Sequence, residues 1–283
     1  MTISVVIISY NEEANIERML ESVMPLVRDG KGEIIVVDSG STDRTVEIAE
    51  SHGAKVLIEE WKGYAAQKNS AIEKALGDWI LSLDADEALS SELAEELLWL
   101  MGAILIWEKL GMPVDDDSES KKLRDRGLAI GLDEENLNGF WIPRQNHFLG
   151  RWIKHGGFWP DPKLRLFRRG MARFEERLVH EDVKLTNGSS SRLKHALIHN
   201  SYPTFSDYIA HMNQYSSLGA EMAVAKGERR LLILDIAVRP LLTFIYNYFF
   251  RLGFLDGREG FLLHVGHAIY VSWKYMKIWE LQQ

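Results

Sequence analysis

The stretch Trp79-Ile80-Leu81-Ser82-Leu83-Asp84-Ala85-Asp86-Glu87 begins with an apolar run of strand length and ends in three carboxylates. In open α/β sheets, ligands bind outside the carboxyl ends of the strands. Asp84 and Asp86 are two residues apart, so on an extended chain they point to the same side and repel each other unless a cation or a proton lies between them. Hard divalent cations such as Mg²⁺ and Mn²⁺ bind carboxylate and phosphate oxygens. The stretch therefore predicts an acidic pair that holds a metal–diphosphate. The alternative is a polar turn in which Glu87 starts a helix.

The composition of the whole chain narrows the possible functions. With 283 residues and 46% hydrophobic content, the chain can form one large domain or a domain with a C-terminal extension. Its net charge of -8 argues against nucleic acid as a partner, because phosphate backbones require a basic face. The absence of cysteine excludes disulfides and thiolate metal sites and fits a reducing compartment. We expect no signal peptide, since the first residues lack a basic region, and no spanning helix, since no run of about 18 apolar residues occurs.

Strands and helices alternate through the N-terminal half of the chain. Runs of β-branched and apolar residues predict strands, and apolar residues at helical spacing predict the helices between them. The predicted strands cover 3–9, 33–37 and 55–58 ahead of the acidic stretch, and the predicted helices cover 16–24, 42–53 and 63–76. This alternation indicates βαβ units, an α/β fold and a largely parallel sheet.

Three of the predicted strands end in polar or acidic residues. These ends are Tyr10-Asn11-Glu12, Asp38-Ser39 and Asp84-Ala85-Asp86. Parallel strands bring their carboxyl ends to one edge, where a nucleotide could lie across them. Asp38 could accept the N–H of a uracil or a ribose hydroxyl, and Lys68 could meet phosphate. The alternatives are a turn or helix cap for Asp38 and a solvated helix face for Lys68.

Four motifs together resemble those of the inverting family 2 glycosyltransferases of the GT-A fold. They are the segments 4–12, 36–43, 67–69 and 84–86. The resemblance is close over the N-terminal part of the chain and continues more selectively to the C-terminus. It implies a Rossmann-like, mainly parallel mixed sheet flanked by helices, and a hexosyltransferase that uses a nucleotide-diphospho-sugar donor.

The same resemblance assigns roles to the donor residues. Ser9, Tyr10 and Glu12 would line the nucleoside pocket, and Asp38 would read the uracil.

The remaining donor residues would hold the diphosphate and the metal. Lys68 would lie near the diphosphate, and Asp84 and Asp86 would serve the ribose and the metal, with Asp86 as the principal ligand. The metal, Mg²⁺ or Mn²⁺, would offset the charge that develops on the leaving diphosphate.

The segment 176–182 is the second stretch that carries chemistry. A sugar hydroxyl is a poor nucleophile, so inversion by direct displacement requires a positioned general base. In glycosyltransferases that resemble this chain, a His-Glu or acidic pair lies here. We expect Glu181 to be the base, with Asp182 as the second candidate. His180 could orient the acceptor or contact metal and His199 is another possible metal ligand, although both could equally be structural.

Two features of the middle of the chain complete the predicted site. Leu164–Arg169 alternates apolar and basic residues, as a half-exposed strand does. Its Arg165 and Arg168 could face a phosphate-bearing acceptor or the diphosphate; the alternative is a solvated strand face. After a predicted helix at 92–110, the polar segment 111–138 is expected to be an insertion or a flexible surface segment, because similar proteins pass to the next strand more directly.

A narrower resemblance comes from the second half of the catalytic region. The segments 141–157, 164–170 and 179–181 are similar to those of bacterial lipopolysaccharide core glycosyltransferases of the WaaE/KdtX type. This implies transfer of glucose from UDP-glucose to a heptose of the inner core. An alternative in the same class is transfer to another cell-envelope polysaccharide or lipid-linked acceptor. Outside the class, the alternatives are a HAD-like phosphatase and a non-catalytic nucleotide-sugar-binding protein.

The C-terminal third is expected to be helical and separate from the catalytic region. We predict a domain boundary at 202/203, a helix at 205–225 and two apolar segments at 231–254 and 261–279. Aromatic residues with Lys and Arg beside an apolar face suit a helix lying on a membrane surface. The alternative is a helix pair packed as core or as an oligomer contact. A lipid-linked acceptor would place the protein in the cytoplasm, peripheral to the inner face of the cytoplasmic membrane.

Overall fold

The computed structural model describes residues 1–110, 118–132, 136–175, 182–227 and 234–283. These residues form two compact units. The first contains 1–144, 162–175 and 182–198, and the second contains 145–161 and 199–283, with the gaps just given. The last change of unit lies between residues 198 and 199. The domain boundary at 202/203 remains a prediction.

The helices and strands are numbered in chain order. The strands are β1 (Ile3–Ser9), β2 (Gly32–Asp38), β3 (Lys55–Ile58), β4 (Trp79–Asp84), β5 (Glu87–Leu89), β6 (Leu137–Ile142), β7 (Arg144–Phe148), β8 (Arg151–Trp152), β9 (Lys163–Arg168), β10 (Ala172–Phe174), β11 (Val183–Leu185), β12 (Ser189–Arg192) and β13 (Leu197–Tyr202). The α-helices are α1 (Ile16–Val27), α2 (Thr45–Ser51), α3 (Tyr64–Glu73), α4 (Ser91–Leu110), α5 (Ser118–Ala129), α6 (Phe205–Ala225), α7 (Arg239–Ile245) and α8 (Gly257–Leu281). Short π-helical segments at Leu234–Val238 and Tyr246–Phe250 flank α7, and a 3₁₀ turn at Gly253–Asp256 precedes α8.

A seven-stranded sheet in the order β12-β6-β9-β4-β1-β2-β3 forms the centre of the first unit. β4, β1, β2 and β3 are parallel neighbours, which confirms the predicted α/β fold. The register places Ser9 opposite Asp38 and Ile8 opposite Asp84. The polar ends of three strands therefore meet at one edge, as the sequence predicts.

Both faces of this sheet are covered by helices. Val5 and Ile7 belong to the apolar cluster on the side of α1 and α4, whereas Val6 belongs to the cluster on the side of α3. Alternate residues of a strand point to opposite faces, so a strand that is covered on both sides needs an apolar residue at nearly every position. This requirement explains the continuous apolar run in β1.

β9 corrects the expectation of a half-exposed strand at Leu164–Arg169. It lies between β4 and β6 and is antiparallel to both. Because this position is central, the side chains of Leu164, Arg165, Leu166 and Phe167 are all buried. The alternation of apolar and basic residues therefore predicted exposure for Arg165 wrongly. Its charge is compensated by carboxylates inside the protein.

The predicted insertion at 111–138 contains regular structure where it is described. Ser118–Ala129 forms α5, and β6 begins at Leu137. Residues 111–117 and 133–135 lie outside the described residues. The identification of this segment as an insertion remains a prediction.

The second unit contains the C-terminal helices that the sequence predicts. Thr204 and Asp207 form a reciprocal capping box at the start of α6. Tyr208 from this helix packs in a cluster with Phe148, Ile153 and Leu263, and β13, β7 and β8 lie side by side in that order. Within the described ranges, no helix has both the length and the apolar character needed to cross a membrane.

His264 lies in the interior of the second unit without a hydrogen-bond partner. It is 1% exposed, and among the described residues neither ring nitrogen has a partner. The rings of Phe158 and Tyr248 are 5.9 and 6.1 Å from it. Burial lowers the pKa of His264 to about 4, His267 and Arg251 act in the same direction, and Asp256 opposes them.

We expect His264 to make the protein less stable as the pH falls from 6.5 toward 4. The unfolded chain takes up a proton near the ordinary histidine pKa, whereas the folded chain takes it up only near pH 4. Stability is therefore complete above pH 6.5 and is lost progressively below it. Denaturant unfolding of wild type and His264→Leu at pH 7 and pH 5 measures this contribution. An equal loss of stability in both proteins would contradict it.

Candidate functional site

Asp38, at the end of β2, organises the loop that follows this strand. Its carboxylate accepts hydrogen bonds from Ser9 Oγ at 2.7 Å, Gly40 N at 2.9 Å, Ser41 N at 2.7 Å and Ser41 Oγ at 2.5 Å. The residue is fully buried. A carboxylate has about four lone-pair positions, so these donors use its full capacity. Asp38 could accept the N–H of a uracil only if one of them moved away, and the predicted uracil contact remains a prediction.

The loops after β1 and β2 are bound to each other. Asn11, which has a positive φ of 54°, donates its backbone N–H to Ser41 Oγ at 2.8 Å and accepts from Thr42 N at 2.8 Å. The backbone N–H of Glu12 donates to Thr45 Oγ1 at 2.7 Å. Between these contacts, the ring of Tyr10 is 58% exposed. The two loops at which the nucleoside pocket is predicted are thus joined by hydrogen bonds.

Asp84, at the end of β4, is held by two cations. Lys68 Nζ of α3 lies 2.7 Å from Asp84 Oδ1, and Arg165 of β9 binds Oδ2. Burial alone would raise the pKa of Asp84, but Arg165 and Lys68 hold it well below its usual range. Lys68 was expected near the diphosphate and is instead buried against the first carboxylate of the acidic pair. Its contact with phosphate remains a prediction.

Glu87 and Arg144 belong to the same charge network, and neither was identified from the sequence. Glu87 lies in β5 and is fully buried, where it accepts from Arg165 Nη2 at 2.6 Å and from Arg144 Nη1 at 3.0 Å. Its second oxygen accepts the backbone N–H of Asp84 at 3.1 Å. Glu87 therefore does not start a helix. The sequence feature that could have identified Glu87 is its position as a third carboxylate directly after Asp84 and Asp86.

Asp86 occupies the turn between β4 and β5. Its side chain is partly exposed, and its carbonyl oxygen accepts from Arg18 Nη2 at 3.0 Å. Burial raises the pKa of Glu12, the hydrogen bond from Asn15 lowers it, and the negative charges of Asp86 and Asp84 raise it. Oxygen donors of this kind fit a hard divalent cation. Because both oxygens of Asp84 are bound by Lys68 and Arg165, Asp86 fits the role of principal ligand better than Asp84 does.

Asn69 fixes the position of the helix that carries Lys68. Its Oδ1 accepts from Phe174 N at 2.9 Å, and its Nδ2 donates to Phe174 O at 3.0 Å. The ring of Phe174 also lies 5.2 Å from Lys68 Nζ. The segment 67–69, which was singled out as a family motif, therefore joins α3 to β10 as well as supplying a cation.

Arg168 does not join this site. It pairs with Trp79 at the amino end of β4, whereas Asp84 lies at the carboxyl end of that strand. Its guanidinium lies 4.9 Å from the ring of Trp79 and binds Glu108. Arg165 and Arg168 were predicted together, but the structure brings only Arg165 to the acidic pair.

The residues predicted for acceptor activation are only partly described. His180 and Glu181 lie outside the described residues. Asp182 is exposed, and its carbonyl oxygen accepts from Glu175 N at 3.1 Å. His199 lies in the second unit, with Nδ1 2.6 Å from Asn146 Oδ1. The roles of all four remain predictions.

Comparison with known proteins identifies the family. The model described as "Glycosyl transferase family 2" matches residues 4–104. An uncharacterized glycosyltransferase of Rickettsia bellii is 31% identical over 99% of this chain and 86% of its own length. LpsC of Rhizobium meliloti, a lipopolysaccharide core biosynthesis glycosyltransferase, is 27% identical over 99% of this chain and 93% of its own. The mannosyltransferase PcManGT of Pyrobaculum calidifontis has a similar fold, with a TM-score of 0.54, 14% identity and coverage of 99% and 88%. The chain belongs to the family 2 glycosyltransferases and has their GT-A fold.

Proposed function

We propose that this protein is a metal-dependent inverting glycosyltransferase that transfers glucose from UDP-glucose to a heptose of the lipopolysaccharide inner core. The observation that carries the proposal is the charge network at the carboxyl edge of the sheet. In this network Lys68 and Arg165 bind Asp84, and Asp86 lies in the turn that follows. The similarity to LpsC, which is named for lipopolysaccharide core biosynthesis, supports the class of acceptor. Another cell-envelope polysaccharide is the alternative acceptor.

The donor diphosphate would bind at the carboxyl edge of the sheet, next to the carboxylate of Asp86. Asp86 would hold Mg²⁺ or Mn²⁺, which supplies positive charge to the leaving diphosphate. PcManGT was solved with GDP-Man and Mn²⁺, which supports a divalent metal in this fold. Arg165 and Lys68 fix Asp84 beside the metal ligand, and Ser9, Tyr10, Glu12 and Asp38 would line or shape the nucleoside pocket.

The acceptor hydroxyl would be activated by a carboxylate from the segment 176–182. Glu181 is the proposed base, and Asp182 is the alternative. A base on one side of the anomeric carbon and the leaving diphosphate on the other would invert the configuration in one displacement. A lipid-linked acceptor would require the protein to work at the cytoplasmic face of the membrane, as a peripheral protein.

Metal-dependent nucleotide binding is the direct test of this proposal. We expect UDP-glucose to raise the melting temperature of the wild type in the presence of Mn²⁺ and to raise it little without Mn²⁺. Asp86→Ala is expected to weaken Mn²⁺-dependent binding about a hundredfold, because it removes the principal metal ligand. Glu47→Ala, which removes an exposed carboxylate from α2, is the matched control and should bind as the wild type does.

Three outcomes would reject parts of the proposal. Equal stabilisation of wild type and Asp86→Ala would remove Asp86 from the metal site. If no UDP-sugar raises the melting temperature but another nucleotide sugar does, the donor is that other nucleotide sugar. Binding without transfer to any saccharide would favour a nucleotide-sugar-binding protein without catalytic activity.

A further inference from the structure

Large apolar side chains are exposed in unusual density between residues 234 and 262 of the second unit. Seven of them are at least half exposed, and we refer to them and their exposed apolar neighbours in this segment as the C-terminal apolar surface. The seven are Leu234, Leu241, Leu242, Tyr246, Phe249, Phe250 and Leu255. Monomeric soluble proteins rarely expose a contiguous apolar patch of this kind, and such patches mark protein or membrane contacts.

The helical part of this surface has its apolar stripe turned toward solvent. Val238, Leu241, Leu242, Tyr246 and Phe249 follow one another at the spacing of a single helix face, and all five are exposed. Within the same segment, the buried residues are Asp235 and Pro240. A helix of a globular protein normally buries its apolar stripe. Here the outward face is the apolar one.

Ring contacts join the helix to the loop and to the start of α8. Tyr248 lies 5.1 Å from Phe249, 6.3 Å from Phe254 and 5.7 Å from Phe261, measured between ring centroids. Phe249, Phe254 and Phe261 are each more than 40% exposed. The exposed residues therefore belong to one continuous surface and are not scattered.

The turn before α8 displays further apolar side chains next to arginines. Leu252 adopts a left-handed conformation with a φ of 61°, which is unfavourable for a leucine. The turn is held from inside by Asp256, which accepts from Lys154 N at 3.1 Å and His155 N at 2.8 Å. Strained conformations that the surrounding structure maintains concentrate at functional positions. The exposed arginines Arg251 and Arg258 flank the turn.

The charge of this surface differs from that of the whole chain. The chain carries a net charge of -8, whereas residues 234–262 contain three arginines, Arg239, Arg251 and Arg258, and three acidic residues, of which Asp235 and Asp256 are buried and Glu259 is partly buried. Arg239 is compensated by Asp235 at 2.9 Å, but Arg251 and Arg258 lie at the end of the surface formed by the turn. An apolar surface with arginines at its border complements a bilayer with anionic headgroups. A strongly acidic protein would otherwise be repelled by such a membrane.

We propose that the C-terminal apolar surface binds to the interface of an anionic phospholipid bilayer, with the turn at 251–258 inserted first. The exposed phenyl and leucyl side chains enter the boundary between headgroups and acyl chains, and Arg251 and Arg258 contact lipid phosphates. This inference deepens the proposed function, because a lipid-linked acceptor would be reached from that surface. Binding to the bilayer nevertheless requires neither donor nor acceptor and is tested separately.

The experiment is sedimentation of the full-length protein with phospholipid vesicles. We expect wild type to bind phosphatidylcholine vesicles that contain about a third phosphatidylglycerol more tightly than pure phosphatidylcholine vesicles. The double variant Leu242→Gln/Phe250→Gln is expected to bind about tenfold more weakly to both, because it removes two inserted side chains. Arg251→Gln/Arg258→Gln is expected to lose binding only on the anionic vesicles, about fivefold for each arginine.

The matched control removes exposed apolar residues elsewhere. Leu76 is 74% exposed and Ile58 is 62% exposed in the first unit, which is comparable to 75% for Phe250 and 58% for Leu242. Ile58→Gln/Leu76→Gln should bind vesicles as the wild type does. Melting temperatures of all variants show whether they are folded.

Several outcomes would overturn the proposal. The first is an absence of wild-type binding to anionic vesicles, and the second is equal binding by wild type and Leu242→Gln/Phe250→Gln. The third is a wild-type oligomer that does not bind vesicles and that the Leu242→Gln/Phe250→Gln substitutions convert to monomers. The last would identify a second copy of the chain as the occupant. Mn²⁺-dependent binding of UDP-glucose, measured on the same preparations without lipid, separates failure of this inference from failure of the proposed function.

Discussion

Arg165→Ala is expected to lower the free energy of unfolding by about 3–5 kcal/mol, because it removes one partner of a buried ion-pair network and leaves the other charges in place. Arg165 is 5% exposed and binds both Asp84 and Glu87. Glu87 is fully buried; among the described residues it would keep its ion pair with Arg144, and Asp84 would keep its ion pair with Lys68. Chemical denaturation of the purified variant measures the loss.

Arg168→Ala is the matched control for this prediction. Arg168 lies three positions further along the same strand and forms an ion pair with Glu108, but both side chains of this pair are more than a third exposed. Exposed pairs of this type contribute about 0–1 kcal/mol. If Arg165→Ala does not fold, Arg165→Lys retains the charge with fewer donors and should be intermediate in stability. Equal stability of Arg165→Ala and Arg168→Ala would contradict the prediction. It would show that Arg144 and Lys68 compensate the charges of Glu87 and Asp84 without Arg165.

Glu181→Gln is expected to lower kcat of sugar transfer about a thousandfold, which lies within the range for loss of a general base. The amide has nearly the shape of the carboxylate but cannot take the proton of the acceptor hydroxyl. Donor binding should not change, since it depends on the other carboxylates at the edge of the sheet. Initial rates with UDP-glucose and a heptose acceptor, together with the melting temperature in UDP-glucose and Mn²⁺, test both statements.

Asp182→Asn distinguishes the two candidates for the base. Adjacent residues of an extended strand point to opposite sides, so only one of Glu181 and Asp182 is expected to face the acceptor. We expect Asp182→Asn to change kcat by a small factor. A large loss in Asp182→Asn with near wild-type transfer by Glu181→Gln would reverse the assignment.

Local patterns predicted the elements whose bounds are set by the apolar spacing of their own residues. β1, β3 and α6 have the predicted bounds 3–9, 55–58 and 205–225. Continuous apolar runs and helical spacing determine these elements with little help from the rest of the chain. β9 shows where this reasoning fails. Its exposure depends on the strands at its two sides, and those come from distant parts of the sequence.

The candidate site was predictable in its location but not in its charge pairing. Three polar strand ends identified the edge, because parallel strands share their direction. The sequence could not show that Lys68 and Arg165 would bind Asp84, since residues 68, 84 and 165 are brought together only by the order of the strands. Glu87 and Arg144 were missed for the same reason. Asp38 was predicted to contact a uracil or a ribose hydroxyl, or to cap a turn, and its four internal hydrogen bonds became visible only in the structure.

The position of β9 has a consequence for biosynthesis. The parallel strands β3, β2, β1 and β4 are all synthesised before residue 85, whereas β9, which covers the open side of β4, follows only at residues 163–168. A nascent chain that ends before β9 therefore presents an unpaired strand edge, and its buried carboxylates still lack Arg165. The segment 4–104, which the family model matches, is for this reason not expected to be stable as an isolated fragment. The acidic edge becomes a finished structure only when the second half of the catalytic region leaves the ribosome.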